Sequence, residues 1–126
     1  MPRRRRSTVS DLASAPVVVV DDAGGGIAER AEELQRLRAS GRPVVIAGRC
    51  ASACTLYLSL DRVCVTGRAV LQFHAPSDPG LSQIFMALYP PSIRRWIAAR
   101  GGLGARVLTM SATEAARHVP VCPSRS

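Results

Sequence analysis

At 126 residues and 47% apolar content, the chain has material for one compact domain and little room for a second hydrophobic core. Its formal charge of +8 is carried by arginine alone, and four of the seventeen basic residues stand together at 3–6, leaving the body at about +4. That balance argues against specific nucleic-acid binding, because outside the tetrad there is neither the aromatic interleaving of a single-strand binder nor a DNA-reading motif. With one Trp, two Tyr and two Phe, the core must come from Val, Leu, Ile and Ala, which favours an α/β fold.

Residues 1–15 join a basic start to an Ala-Ser-Ala finish without the apolar stretch that a secretory signal needs. They are read as a solvated tail before a domain at 16–122, with residues 123–126 as a short C-terminal tail. The apolar run at 17–20 is far too short to cross a bilayer, so a soluble protein, cytoplasmic by default, is expected. Val17-Val18-Val19-Val20 is unbroken by polar residues and predicts a short parallel strand covered on both faces. Asp21-Asp22-Ala23-Gly24-Gly25-Gly26 ends it. From Ile27 the apolar positions Ile27, Ala31, Leu34 and Leu37 recur at helical spacing, with Glu32 and Arg36 paired four apart on the polar side. Gly41 closes this helix and Pro43 opens a second strand at Val44-Val45-Ile46-Ala47. Strand, helix and strand form a right-handed crossover, which delivers the loops after both strands to one sheet edge.

A short apolar helix is expected over 53–60, then strands at Val63-Cys64-Val65 and at 69–73, the latter leading into His74. Pro90-Pro91 divides two helices at 81–89 and 92–100, and Gly101-Gly102-Leu103-Gly104 makes a joint. Ser111-Ala112-Thr113-Glu114 is a capping box for a last helix through residue 117, and 119–123 adds an edge strand or trails loosely. Cys50, Cys54, Cys64 and Cys122 match neither the paired knuckles of zinc modules nor the density of a disulfide mini-protein, so no metal or other cofactor is expected. The preferred reading makes them small buried apolar thiols. The alternative is disulfide bonding in an oxidising compartment, with Cys50 and Cys54 near each other around a strand-to-helix turn.

One constellation carries chemistry. A serine hydroxyl is a poor nucleophile, which needs a base to take its proton and donors to receive charge on the carbonyl oxygen. Ser52 stands where the second strand turns into a helix, His74 ends a later strand, and the backbone amides of Gly24 and Ala53 suit an oxyanion site. Each feature also has a plain structural reading: serine as a helix cap, histidine as a packing residue, a glycine triplet as a turn.

The combination resembles the Clp protease proteolytic subunit and crotonase superfamily. Val17-Val18-Val19-Val20-Asp21-Asp22-Ala23-Gly24-Gly25-Gly26-Ile27 is similar to that family's strand and Ser-Pro-Gly-Gly-Ser-Val loop. Gly48-Arg49-Cys50-Ala51-Ser52-Ala53-Cys54 is similar to its Gly-x-Ala-Ala-Ser-x-Gly nucleophile turn, and Phe73-His74-Ala75-Pro76 to its Ile-His-Gln-Pro. Met110-Ser111-Ala112-Thr113-Glu114-Ala115 resembles the Leu-Ser-Ala-x-Glu-Ala helix near the family's end. Within the superfamily the wording is most similar to bacterial proteins described as periplasmic and Clp-protease-like. The resemblance spans about residues 16–120 and implies a ClpP/crotonase-like α/β fold of layered ββα type, shortened or divergent, in a single compact domain. It further implies a serine hydrolase acting on a peptide or protein substrate, with Ser52 and His74 catalytic and Gly24 and Ala53 as oxyanion donors.

The chain also departs from this pattern. The family's acidic triad member precedes the final helix, where this chain has Arg106-Val107-Leu108-Thr109 and no carboxylate. Without an orienting acid a histidine loses tautomer control and imidazolium stabilisation. Asp78 is the candidate replacement, and Glu114 is a poorer one because it is the capping partner of Ser111. A serine/lysine mechanism is excluded, since the chain has no lysine. The stretch after His74 is short for the family's oligomerising handle, so a homo-oligomer is allowed while a stacked double heptamer is not expected, and the family's N-terminal strand has no counterpart in 1–15. The alternative function is a pseudoenzyme or interaction domain that keeps the fold. A crotonase-type acyl-CoA enzyme and a basic nucleic-acid adaptor using residues 3–6, Arg94, Arg95 and Arg100 are weaker readings.

Overall fold

The valine run after Pro16 forms the first strand, β1 (Val17–Asp22), of a computed structural model that describes residues 15–123. The expected basic tail, Ala15 apart, and residues 124–126 lie outside the described residues. In chain order follow α1 (Ile27–Ser40), β2 (Val44–Ala51), a 3-10 helix (Ser52–Ser59), β3 (Val63–Val65), β4 (Val70–Phe73), α2 (Gly80–Leu88), α3 (Pro91–Ala98), β5 (Leu108–Met110) and α4 (Ala112–Ala115). The architecture is mixed α/β around one five-stranded sheet of order β1-β2-β4-β5, with β3 beside the start of β2.

β2 organises the sheet. Its first half pairs in parallel with β3 through Val44, Val45 and Ile46, and its second half with β4 through Arg49, Cys50 and Ala51. Gly48 lies between the halves, where a Cβ would overlap the Val20 carbonyl, and the register with β1 shifts between Val19 and Asp21. A side chain at residue 48 would therefore push β1 and β2 apart at the point where β2 turns towards the site.

β1 corrects one expectation. It is parallel, as its composition implied, but stands at the sheet edge, so Val19 is buried while Val18 and Val20 are 57% and 67% exposed. Unbroken β-branched sequence reports strand propensity, and the position in the sheet decides how many faces are covered. α1 contributes Leu34 and Leu37 to the core and ends at Gly41, whose left-handed φ of 69° lets its N–H reach the Leu37 carbonyl. The stretch after Ser52 is buried from Ala53 to Leu58, and it winds as a 3-10 rather than an α-helix.

Two further elements pack behind the last strands. Phe73 at the end of β4 meets Tyr89 edge-on at 5.3 Å and Trp96 at 5.9 Å, which seats the end of α2 and the middle of α3 against the strand that carries His74. β5, not anticipated from sequence, pairs antiparallel with β4 through Leu71–Met110, Gln72–Thr109 and Phe73–Leu108. Its Leu108 and Met110 are buried and Thr109 is exposed, the alternation of a half-covered strand too short to read alone.

The cysteines form two disulfides, Cys50–Cys54 and Cys64–Cys122, which overturns the preferred reading of buried thiols. The second ties β3 to the end of the chain, where Val121 bridges to Val65 and Cys122 donates its N–H to the Val65 carbonyl. Of the two outcomes expected for 119–123, an edge strand or a loose end, the chain shows a single bridge held by this disulfide.

Candidate active site

Ser52 is the first residue after β2 and, among the described residues, the one non-glycine with a left-handed backbone, at φ 56°. For an L-residue this conformation costs roughly 1–2 kcal/mol, so its surroundings must hold it. A disulfide and two hydrogen bonds brace the turn around it. The Cys50–Cys54 disulfide closes around it, the Thr55 hydroxyl donates to the Ser52 carbonyl at 2.6 Å, and Thr55 is itself hydrogen-bonded to the Tyr89 hydroxyl at 2.7 Å. Burial pushes the Tyr89 phenol up to about 12, so it remains a neutral partner at any ordinary pH.

The loop after β1 closes over this turn. A Cβ on Gly24 would lie 2.9 Å from the Ser52 Cβ and 3.3 Å from the Ala53 nitrogen, and its φ of 107° suits only glycine. Gly24, Ser52 and Ala53 are therefore in direct apposition, as the sequence grouped them. Ala53 is the second residue of the 3-10 helix, so its N–H is among those with no acceptor in the preceding turn. The Gly24 N–H, by contrast, donates to Asp22 Oδ1 at 2.9 Å. The next amide, Gly25, has no acceptor among the described residues.

A network not evident in the sequence fixes that loop. Arg30, on the first turns of α1, donates to both Asp22 carboxylate oxygens at 2.9 Å and to the Gly24 carbonyl at 3.3 Å. Its guanidinium also bonds Glu33 and lies 4.8 Å from the Tyr57 ring centre, while the Tyr57 hydroxyl donates to Glu33 at 2.7 Å. Burial, reinforced by the Glu33 carboxylate, pushes the Tyr57 phenol up to about 12. The only local signal was Asp22 two residues before Gly24, an Asx-turn spacing. These residues line an open cleft of about 540 Å³ beside the Gly24 loop.

His74 follows β4 directly. Because β2 and β4 are parallel and pair Ala51 with Gln72, Ser52 and His74 emerge at the same end of adjacent strands. His74 Nδ1 is 2.9 Å from the Ala75 carbonyl, which can only accept, so the proton of this bond sits on Nδ1 and leaves Nε2 as the acceptor nitrogen. The Ala75 N–H in turn donates to the Gly104 carbonyl at 2.8 Å, pinning the histidine loop to the glycine-rich joint. Among the described residues no hydrogen bond joins Ser52 to the His74 ring. A nucleophile and base are often this loose before substrate binds.

The family's acid has no counterpart among Arg106, Val107, Leu108 and Thr109. Phe73 pairs with Leu108, and Val107, the residue before β5, is 47% exposed. Asp78, the candidate replacement, instead accepts the Gly80 N–H at 2.9 Å at the start of α2, and no bond joins it to His74 among the described residues. Glu114 is engaged by Ser111 and by the Trp96 indole N–H.

The sheet with its crossover, the glycine loop and the serine turn define a ClpP-like α/β fold. The structure is similar to that of a ClpP1 mutant from Listeria monocytogenes, covering 90% of this chain and 75% of that one with a TM-score of 0.53 and 17% sequence identity. No protein-family model and no curated protein sequence matches the chain. Among the described residues no helix is long and apolar enough to cross a membrane.

Proposed function

We propose that the chain is a serine hydrolase of Clp-protease-like type that cleaves peptide bonds. The observation that carries this reading is the strained Ser52 turn, pressed against the Gly24 loop at the sheet edge where His74 also emerges. Ser52 Oγ attacks the substrate carbonyl carbon while His74 Nε2 takes its proton; His74 then returns that proton to the leaving amine, and water repeats the sequence on the acyl-enzyme. The oxyanion is held by the Ala53 N–H and by the glycine loop. Since Asp22 already occupies the Gly24 amide, Gly25 is the loop donor in this arrangement, and Gly24 contributes by letting the loop approach. The Ala75 carbonyl sets the His74 tautomer, which is part of what a triad acid does.

Ser52→Ala is expected to abolish both peptide hydrolysis and labelling by a fluorophosphonate. Hydrolysis undiminished in that variant would overturn the assignment. A second reading, a pseudoenzyme or interaction domain with this fold, is favoured by Val107 and its neighbours Arg106, Leu108 and Thr109, which supply no acid to stabilise the imidazolium. In that case wild-type protein is not labelled at all. The two disulfides support folding in an oxidising compartment, in keeping with the resemblance to periplasmic proteins.

A further inference from the structure

Ser52 is the middle residue of the five that run from Cys50 to Cys54. Cys50 has no freedom of its own, because it is fully buried in the sheet between Asp22 of β1 and Leu71 of β4. Cys54, also fully buried, lies in the first turn of the 3-10 helix. With Cα atoms 5.2 Å apart, the bond fixes both ends of a short ring, and the chain inside must make its reversal at residue 52. An unrestrained serine would relax to a right-handed or extended backbone and swing its hydroxyl away from the Gly24 loop.

We propose that the Cys50–Cys54 disulfide is the positioning element that holds Ser52 in its left-handed reactive conformation, so that the site works fully only with this bond formed. The inference rests on the hydrolase reading and adds a redox requirement to it. The Thr55 hydroxyl on the Ser52 carbonyl supports the same turn, but this i to i+3 bond also forms around an ordinary right-handed serine and does not select the left-handed one. The loss of the clamp is a two-electron reduction: a dithiol's sulfur attacks one cysteine sulfur, the S–S bond breaks, the dithiol becomes a cyclic disulfide, and Cys50 and Cys54 each end as a protonated thiol. Since both sulfurs are buried, this requires local opening. The bond is a lasting lock rather than a rapid switch.

The test compares fluorophosphonate labelling of Ser52 and peptide kcat and KM in wild type, Cys50→Ala/Cys54→Ala and Cys64→Ala/Cys122→Ala. Expected is a fall of about tenfold or more in labelling rate and kcat for the first pair, with KM within about twofold, and unchanged values for the second pair, because a lower population of competent Ser52 reduces turnover without removing substrate contacts. Should the first pair fail to fold, Cys64→Ala/Cys122→Ala is refolded with dithiothreitol to keep Cys50 and Cys54 as thiols and is then reoxidised; recovery of the rate on reoxidation supports the clamp, and equal rates in both forms overturn it. If no form is labelled, the hydrolase reading fails and the clamp is judged by amide hydrogen exchange at residues 52–55. Faster exchange in the dithiol form supports it, and identical exchange overturns it.

Discussion

In the proposed hydrolase the triad acid is missing, and Val107 is the residue just before the Leu108 that pairs with Phe73. The Ala75 carbonyl already holds the His74 ring in the Nδ1–H tautomer, but a neutral carbonyl carries no charge to stabilise the imidazolium that the proposed Ser52 attack would form. Val107 precedes β5 and is nearly half exposed, so a carboxylate there meets water and pays little desolvation. Val107→Asp is expected to raise kcat/KM for peptide hydrolysis by roughly 10- to 100-fold, less than the full value of a triad acid because orientation is already supplied. Steady-state kinetics check it, with Val107→Asp/His74→Ala as the control that must show no gain. An unchanged rate in Val107→Asp would mean that Val107 does not face the reacting ring. The proposed oxyanion donors yield to the same scale of reasoning. Asp22→Ala frees the Gly24 N–H but also removes the two carboxylate oxygens that Arg30 holds, so the loop loses part of its anchor, and the expected result is a slower rather than faster labelling of Ser52.

α4 is only four residues long and depends on side chains for its place. Its Glu114 closes the capping box with Ser111, accepts the Trp96 indole N–H at 3.2 Å and faces Arg100, which itself stacks 3.8 Å from the Trp96 ring centre. The Trp96 hydrogen bond first, then the Ser111 backbone N–H and Arg100, hold the Glu114 carboxyl below its ordinary value of 4.5. Depressed carboxyl groups stabilise the fold above their unfolded-state value, and that contribution disappears as pH falls through the lower folded value. Glu114→Ala is therefore expected to cost about 1 kcal/mol in urea unfolding at pH 7, with the gap to wild type narrowing in acid. A gap that does not change with pH would assign the loss to packing alone. This capping box was legible from Ser111-Ala112-Thr113-Glu114, and the end of α1 from Gly41, because caps are local chemistry. β5 and the exposed face of β1 were not legible, because they depend on which strand comes to lie alongside which. The candidate site divides in the same way. Ser52, His74 and the nearness of Cys50 to Cys54 stand in local motifs, whereas Arg30 reaching back across the loop to Asp22, Tyr89 supporting Thr55 and the Cys64–Cys122 bridge are consequences of the fold.

On the scale of the whole chain the two disulfides have separate tasks. Cys50–Cys54 spans a sequence separation of 4 and Cys64–Cys122 one of 58, so in a loop-entropy account they remove about 2 and about 4 kcal/mol of unfolded-state freedom respectively. The long bridge is the one that holds the molecule together: it fastens the chain end, with buried Val119 and the Val65–Val121 bridge, onto β3 at the start of β2. For a domain of this size about 4 kcal/mol is a large part of the total stability. Cys64 and Cys122 are half-buried and Cys50 and Cys54 fully buried, so access orders the reduction as well. A thiol reductant is expected to open Cys64–Cys122 first, lowering Tm by roughly 15 °C or more while Ser52 labelling persists. Only later, when Cys50–Cys54 opens, does labelling fall. Timed alkylation with mass spectrometry, run beside thermal unfolding, resolves the order; loss of labelling together with the first bridge would show that the two ends of β2 are not independent, and would make the chain end part of the machinery that holds Ser52.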